Sequence, residues 1–157
     1  MAGYFFNPNI HPYQEYRRRM DTLRLYSEKR GLQVRYRDDY RLEEFLRNVA
    51  PQPEDRCRYC YRVRLEATAR EAKANRFDGF STTLLYSVYQ KHQLIKETGE
   101  EISREAGILF YYEDFRPGWR KGIEISKAME LYRQQYCGCI YSEKERYLAQ
   151  VEEKKSL

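Results

Sequence analysis

Four cysteines carry most of the chemistry this sequence can offer. They stand as two tight pairs, Cys57-Arg58-Tyr59-Cys60 and Cys137-Gly138-Cys139, and no other cysteine occurs in the 157 residues. Thiols grouped in this way hold a metal or a cluster, or open and close as a disulfide. Cys57 and Cys60, three apart at a helix start, face the same way. The helix amino terminus and Arg56, Arg58, Arg62 and Arg64 add positive potential, which predicts lowered thiol pKa values. Gly138 lets the backbone turn so that both sulfurs of the second pair face one centre. A disulfide inside that three-residue unit would be strained and easily reduced. Cys60 and Cys137 are 77 positions apart, so only folding can unite the pairs. The spacing leaves three arrangements open. Four thiolates could hold a structural zinc, although the single-residue gap of the second pair is unusual for zinc ribbons. They could carry an iron–sulfur cluster. Or one pair could bind metal while the other cycles between dithiol and disulfide. Small buried hydrophobes are the plain alternative.

No other catalytic system stands beside them. His11 sits in a turn and reads as structural, and His92 lies on a polar helix face and reads as solvated. No glycine-rich phosphate loop of either common type occurs. Asp38-Asp39 reads as a turn and helix cap. Tyr59, Tyr61, Tyr111 and Tyr112 read as packing groups more than as base-stacking platforms.

These groups need elements to position them. Gly3 to Phe6 is a short aromatic strand running into the turn formers Asn7-Pro8-Asn9-Ile10-His11-Pro12. Tyr13 to Arg30 is helical, with Tyr16, Met20, Leu23 and Ser27 at helical steps, and Gly31 stops it. Leu32 to Tyr36 alternates as a half-buried strand. Asp38 or Asp39 caps a short helix ending at Val49, before Pro51 and Pro53. A helix from about Arg58 to Asn75, capped by Asp55, receives the first cysteine pair. Phe77 to Thr83 reads as a strand, Ser87 or Tyr89 to Ala106 as a helix stopped by Gly107, and Ile108 to Tyr112 as the last strand. Gly122 to Arg133 is helical and leads directly to the second pair. Residues 143–157 form a charged tail expected to fray. Alternating strands and helices predict one α/β domain over 1–157, with a mostly parallel sheet and helices on both faces. Ligands in such folds sit at the carboxyl ends of the strands. Asn7, Thr82, Thr83, Asp114 and the Cys57 loop all follow strand ends or lie in loops.

Composition narrows the class. The longest apolar run, Ala106 to Tyr112, is too short to span a bilayer, and the start has neither the charged nor the apolar region of a secretory signal. A cytoplasmic location without membrane contact is expected, where paired cysteines serve as ligands or redox thiols more often than as permanent staples. The net charge is +5, and 20 of the 29 basic residues are arginine. Aromatics interleave with them in Arg35-Tyr36-Arg37 and Arg56-Cys57-Arg58-Tyr59-Cys60-Tyr61-Arg62. Such a composition suits an RNA-facing surface, although 24 acidic residues also make ordinary mixed charge.

Several stretches carry a resemblance in order along the chain. They are Tyr4-Phe5-Phe6-Asn7-Pro8-Asn9-Ile10-His11-Pro12, Cys57-Arg58-Tyr59-Cys60-Tyr61-Arg62-Val63-Arg64-Leu65, and Phe80-Ser81-Thr82-Thr83-Leu84-Leu85 followed by Ser87 and Tyr89-Gln90. Asp114-Phe115-Arg116-Pro117-Gly118-Trp119 follows, and the last block runs from Leu131 through Cys137-Gly138-Cys139 to Ser142. Together they resemble the non-cobalamin epoxyqueuosine reductases, the QueH family. The resemblance implies a Rossmann-like (HUP/PP-loop-type) three-layer α/β fold and a [4Fe–4S] enzyme with a possible additional iron. It implies reduction of epoxyqueuosine to queuosine in the tRNA anticodon, the last step of queuosine biosynthesis, with electrons from a donor the sequence does not name. Cys57 and Cys60 would hold the cluster. Cys137 and Cys139 would be further ligands or a catalytic, redox-active pair.

The start of the chain departs from the family's pattern. The family begins with an apolar strand ending in a Cys-Cys pair, ahead of the Asn-Pro-Asn block, whereas this sequence reaches Tyr4 directly from Met1. The resemblance places that strand centrally, so the expectation is a sheet with two unpaired inner edges and an inactive or weakly active form. The readings that compete with the reductase are a non-catalytic RNA-binding module with a structural zinc held by all four cysteines and a metal-free thiol–disulfide oxidoreductase.

Overall fold

Helical periodicity and glycine stops determine the first unit. In the computed structural model, residues 1–155 are described, with side chains through residue 149. Strand β1 (Gly3–Phe5) leads through helix α1 (Tyr13–Arg30) to strand β2 (Val34–Tyr36). The strands run parallel, with Gly3 opposite Val34 and Phe5 opposite Tyr36. Tyr16, Met20 and Ser27 share the buried face of α1, as their spacing predicts. Gly31 ends the helix at φ 62, its N–H turned back to the Glu28 and Ser27 carbonyls, a conformation that glycine adopts without steric cost.

Helix α2 (Leu42–Val49), a 3-10 turn over Pro53–Asp55 and helix α3 (Arg56–Ala74) come next. Neither Asp38 nor Asp39 caps α2. Arg41 holds that position without a capping bond. Asp39 is drawn to Arg41 at 2.6 Å and Arg37 at 3.3 Å, while Asp38 pairs with Arg17 at 2.8 Å. Asp55 occupies the α3 cap position, also without a capping bond.

The second unit repeats the logic of the first. Strand β3 (Gly79–Phe80), a 3-10 turn over Thr83–Tyr86, helix α4 (His92–Ala106) and strand β4 (Leu109–Phe110) form it, with β3 and β4 parallel. The strands are shorter than alternation alone suggests, because a strand also needs a bonded neighbour along its length. Helix α4 starts later than expected, since the chain first turns over Thr83–Tyr86 with the Thr82 hydroxyl accepting from the Leu84 N–H at 3.2 Å. Helix α5 (Trp119–Ala128) and helix α6 (Ile140–Lys155) complete the chain.

The expected single sheet is divided: β1–β2 and β3–β4 are separate parallel pairs. Strand–helix alternation dictates parallel pairing inside each βαβ unit and leaves bonding between units undetermined. Two buried clusters follow the same division. Phe5, Ile10, Tyr16 and Met20 fill the first. The larger one packs α2, α3 and α4 with β3, β4 and Cys139. Tyr61, Leu65, Ala69 and Ala72 supply the α3 face, and Ile95 and Ile102 the α4 face. Gly99 of α4 makes room for the Phe110 ring, which a Cβ there would overlap.

The charged segment after Ser142 is helical through Lys155 as α6. Arg56 reaches Glu145 across to it, and Tyr136 meets Tyr147 edge-on. Residues 156 and 157 lie outside the described residues. No helix among the described residues is long and apolar enough to cross a membrane.

Candidate active site

Helix α3 begins at Arg56, so Cys57 and Cys60 occupy its first turns. Three residues on, the helix turns Cys60 onto the face that carries Tyr61 and Leu65 into the core. Cys60 is 8% exposed, and Cys57 packs against the same cluster.

The second pair lies between α5 and α6, in a segment without regular structure that Arg19 of α1 holds. The Arg19 guanidinium donates to the Cys137 carbonyl at 2.8 Å, the Tyr136 carbonyl at 2.9 Å and the Gln134 side chain at 2.8 Å. Its Nε donates to Glu15 at 2.7 Å, and its plane lies 5.4 Å from the Tyr136 ring centroid. Gly138 then docks on the loop after β1: its carbonyl accepts the His11 N–H at 2.8 Å. At φ 142 Gly138 adopts a backbone conformation unfavourable to other residues. A Cβ there would press on Ile10 at 3.1 Å and on Arg19 and Asn9 at 3.2 Å. Ser142 closes the turn, its hydroxyl donating to the Cys139 carbonyl at 2.7 Å and its N–H to the Cys139 sulfur at 3.4 Å.

From the other side, the loop after β3 reaches in. Gln90 donates through Nε2 to the Cys137 sulfur at 3.3 Å. The Tyr61 hydroxyl holds that amide by donating to Gln90 Oε1 at 2.8 Å, and accepts the Lys91 N–H at 3.2 Å. The second pair therefore lies between the loops that leave β1 and β3, the place where α/β folds bind ligands.

The fold brings all four thiols into one neighbourhood. Cys60 and Cys139 belong to one buried cluster, and Cys137 and Cys139 lie close enough to Cys57 and Cys60 to interact with them electrostatically. All four are free thiols. Arg56 lies beside Cys139, Arg64 beside Cys60, and Lys91 near Cys57. The expected lowering of the thiol pKa values does not hold for the first pair. Burial pushes Cys57 up and Cys60 to about 12, outweighing the nearby cations, because a thiolate loses its hydration inside a core. The metal-free pair is thus held protonated, and a metal would have to displace those protons.

Donor chemistry fits a thiolate-bound group: four sulfurs, three flanking cations and a mostly apolar wall. The Asn9 side-chain oxygen and the Arg56 Nε, each near one end of the Cys137–Cys139 turn, are buried without a hydrogen-bond partner. Among the described residues, no three His, Cys, Asp or Glu side chains come close enough together to hold a single metal ion.

The other candidates have local duties. His11 is buried with both ring nitrogens unpartnered, its ring against Tyr40 and Phe45. Burial lowers its pKa to about 4, with the nearby Pro8 backbone and the Glu43 charge pulling the other way. His92 is not solvated. Its side chain is 9% exposed, its Nε2 lies 2.8 Å from the Leu85 carbonyl, and its Nδ1 lies 3.4 Å from the Tyr112 hydroxyl. Asp114 is gripped by Arg116 at 2.8 and 2.6 Å, which holds its carboxyl well below the usual range. Thr82 caps the Thr83–Tyr86 turn. Tyr61 packs as expected. Much of the arginine–aromatic alternation is also used internally: Arg37 lies over Phe6, Arg24 over Tyr36 and Arg56 over Tyr141.

Arg19, Gln90 and Asn9 are the site residues that sequence reasoning passed over. Only Glu15, four residues before Arg19, signals a paired arginine. Nothing local marks Gln90, whose partners Tyr61 and Cys137 are distant in sequence, or Asn9, which packs against the distant Gly138.

The family described as "Epoxyqueuosine reductase QueH" matches residues 1–145. A protein of that name from Dehalococcoides mccartyi is 39% identical over 147 residues, covering 94% of this chain and 81% of its own. Its namesake in Thermotoga maritima is 35% identical, covering 91% and 79%, and that of Streptococcus pyogenes serotype M1 is 34% identical, covering 97% and 64%. With the match extending through both cysteine pairs, the chain belongs to the QueH family of epoxyqueuosine reductases.

Proposed function

We propose that this chain reduces epoxyqueuosine to queuosine in the anticodon of a tRNA, with a [4Fe–4S] cluster held at the paired cysteines. The observation that carries the proposal is the meeting of Cys60 and Cys139 in one buried cluster, with Cys57 packed against it. Cys57 and Cys60 would hold the cluster, and Cys137 and Cys139 would ligate it or act as a dithiol beside it. The positive groups Arg56, Arg64 and Lys91 would offset the charge of several thiolates.

Removal of the epoxide oxygen takes two electrons and two protons and releases the oxygen as water, leaving a carbon–carbon double bond. The bound cluster supplies electrons one at a time. A dithiol at Cys137 and Cys139 closing to a disulfide would supply two electrons and two protons together, and a separate donor would reduce that disulfide again. Gln90 would orient the Cys137 sulfur through its amide, while Tyr61 keeps that amide in place. The same reading makes the two parallel strand pairs halves of one Rossmann-like, three-layer domain working in the cytoplasm, where tRNA is found.

The test is anaerobic reconstitution with iron and sulfide, followed by metal and sulfide analysis, Mössbauer spectroscopy and turnover of tRNA carrying epoxyqueuosine. Wild type should take up a cubane cluster and form queuosine, even if weakly, at a rate above that of the metal-free protein. Cys60→Ser should lose the cluster, and Cys137→Ser should reveal by its spectrum whether that sulfur ligates iron. Colourless protein with one zinc and no turnover would refute the proposal.

A further inference from the structure

Many aromatic rings are absorbed by the two cores, but one cluster opens to solvent. Tyr89 is 82% exposed. Its ring meets Trp119 edge-on, with centroids 5.8 Å apart at 80°. Trp119 in turn lies 5.0 Å from Tyr86, and the Tyr86 hydroxyl donates to the Trp119 carbonyl at 2.9 Å. Gly122, one turn along α5, leaves the space that this hydroxyl fills, since a Cβ there would overlap it. Tyr86 thus fixes Trp119 from behind.

A single exposed aromatic is ordinary; the position of this one is not. The next residue is Gln90, whose amide donates to the Cys137 sulfur at 3.3 Å. The open ring therefore belongs to the residue next to the one that reaches the thiol centre. The charge beside the ring also differs from that at the start of α3. Three arginines there are engaged with carboxylates: Arg56 with Glu145, Arg58 with Asp55, and Arg62 with Glu66, Glu101 and Glu105. Lys91 and Arg120, the neighbours of Gln90 and Trp119, are exposed and make no ion pair among the described residues.

We propose that Tyr89, backed by Trp119, is a stacking platform for an unpaired nucleobase of the substrate RNA, with Lys91 and Arg120 contacting its phosphates. This rests on the tRNA reading above and adds the surface that would deliver the loop to the thiols. Bases of a hairpin loop are unstacked enough to lie on an aromatic face, whereas those of a duplex are not. Stacking on one ring is worth about tenfold or more in affinity, and each phosphate contact adds about one unit to the salt slope.

The test uses the holoenzyme and a fluorescently labelled, unmodified anticodon hairpin, with a duplex RNA of equal length as competitor. Tyr89→Ala should weaken hairpin binding about tenfold or more, with iron content and unfolding midpoint unchanged. Tyr89→Phe should stay within about twofold, because stacking needs the ring and not the hydroxyl. Arg120→Gln should lower the salt slope by about one. Unchanged binding by Tyr89→Ala, equal loss in Tyr89→Phe, or no preference of wild type for hairpin over duplex would each overturn the platform. The two proposals fail separately. Tyr89-dependent hairpin binding without conversion of epoxyqueuosine defeats only the reductase reading, and turnover with binding insensitive to Tyr89→Ala defeats only the platform.

Discussion

Replacing Arg19 with alanine should unseat the second cysteine pair, and the size of the effect can be worked out from its contacts. The Arg19 and Glu15 side chains are 10% and 8% exposed and 2.7 Å apart. Removing one partner of such a buried pair costs about 3–5 kcal/mol, because the other charge is left without compensation. Glu15 retains one donor, the Tyr132 hydroxyl at 2.7 Å, which places the loss near the lower end. The Tyr136 and Cys137 carbonyls lose their donor as well, at about 1 kcal/mol each. A loss of about 5 kcal/mol is a large fraction of the roughly 5–15 kcal/mol typical of a domain. Arg19→Lys separates charge from geometry. It keeps a cation beside Glu15 but cannot fork to both carbonyls, so about 1–2 kcal/mol should be lost. Urea titration followed by circular dichroism gives the stabilities, and iron per chain after anaerobic reconstitution reports the thiols. Arg19→Lys should remain folded while holding less iron than wild type. If Arg19→Ala unfolds within about 1 kcal/mol of wild type, or if Arg19→Lys loads iron fully, the argument that Arg19 positions Cys137 is wrong.

Three further outcomes test the surrounding argument. The His11 pKa is lowered from 6.5 to about 4 by burial, so the fold favours the neutral ring. Its contribution is present in full above pH 6.5 and is lost as pH falls toward 4, amounting to about 3 kcal/mol; denaturation between pH 7 and 4 should show this fall in wild type and a shallower one in His11→Phe. Gly138→Ala should cost about 1–3 kcal/mol from its φ of 142 and its crowding against Ile10, Arg19 and Asn9, and should lower iron retention, whereas Gly31→Ala, with open space around it, should cost about 1–2 kcal/mol and leave iron unchanged. Cys60, buried and raised to about 12, should resist iodoacetamide at pH 8 in the folded metal-free protein and react after unfolding in urea, as read by mass spectrometry; rapid labelling of the folded form would contradict its burial.

Local physics made much of the fold legible. The face of α1 carrying Tyr16, Met20 and Ser27 follows from the helical period, and Gly31 and Gly107 end their helices in left-handed conformations, as glycine after a periodic run suggests. Expectation and structure part where a distant partner decides. Asp39 gives up helix capping because Arg41 and Arg37 attract it. His92 lies on a polar stretch, yet the Leu85 carbonyl and Tyr112 enclose it. Strands are short where alternation has no neighbour to pair with. The site divides in the same way: the spacing of each cysteine pair is a short-range fact, while Arg19 reaches Cys137 across 118 positions.

The order of the chain alone determined which groups could react, the helix that carries Cys57 and Cys60, and the parallel pairing inside each βαβ unit, because each depends on neighbours within a few turns or on chain reversal by one helix. Tertiary packing decided that the two thiol pairs share one neighbourhood, that Arg19 and Gln90 hold Cys137, and that the first pair is protonated without metal. Burial reverses the expected thiol shift because desolvation depends on the atoms surrounding a group in space, and those atoms come from segments far apart in sequence.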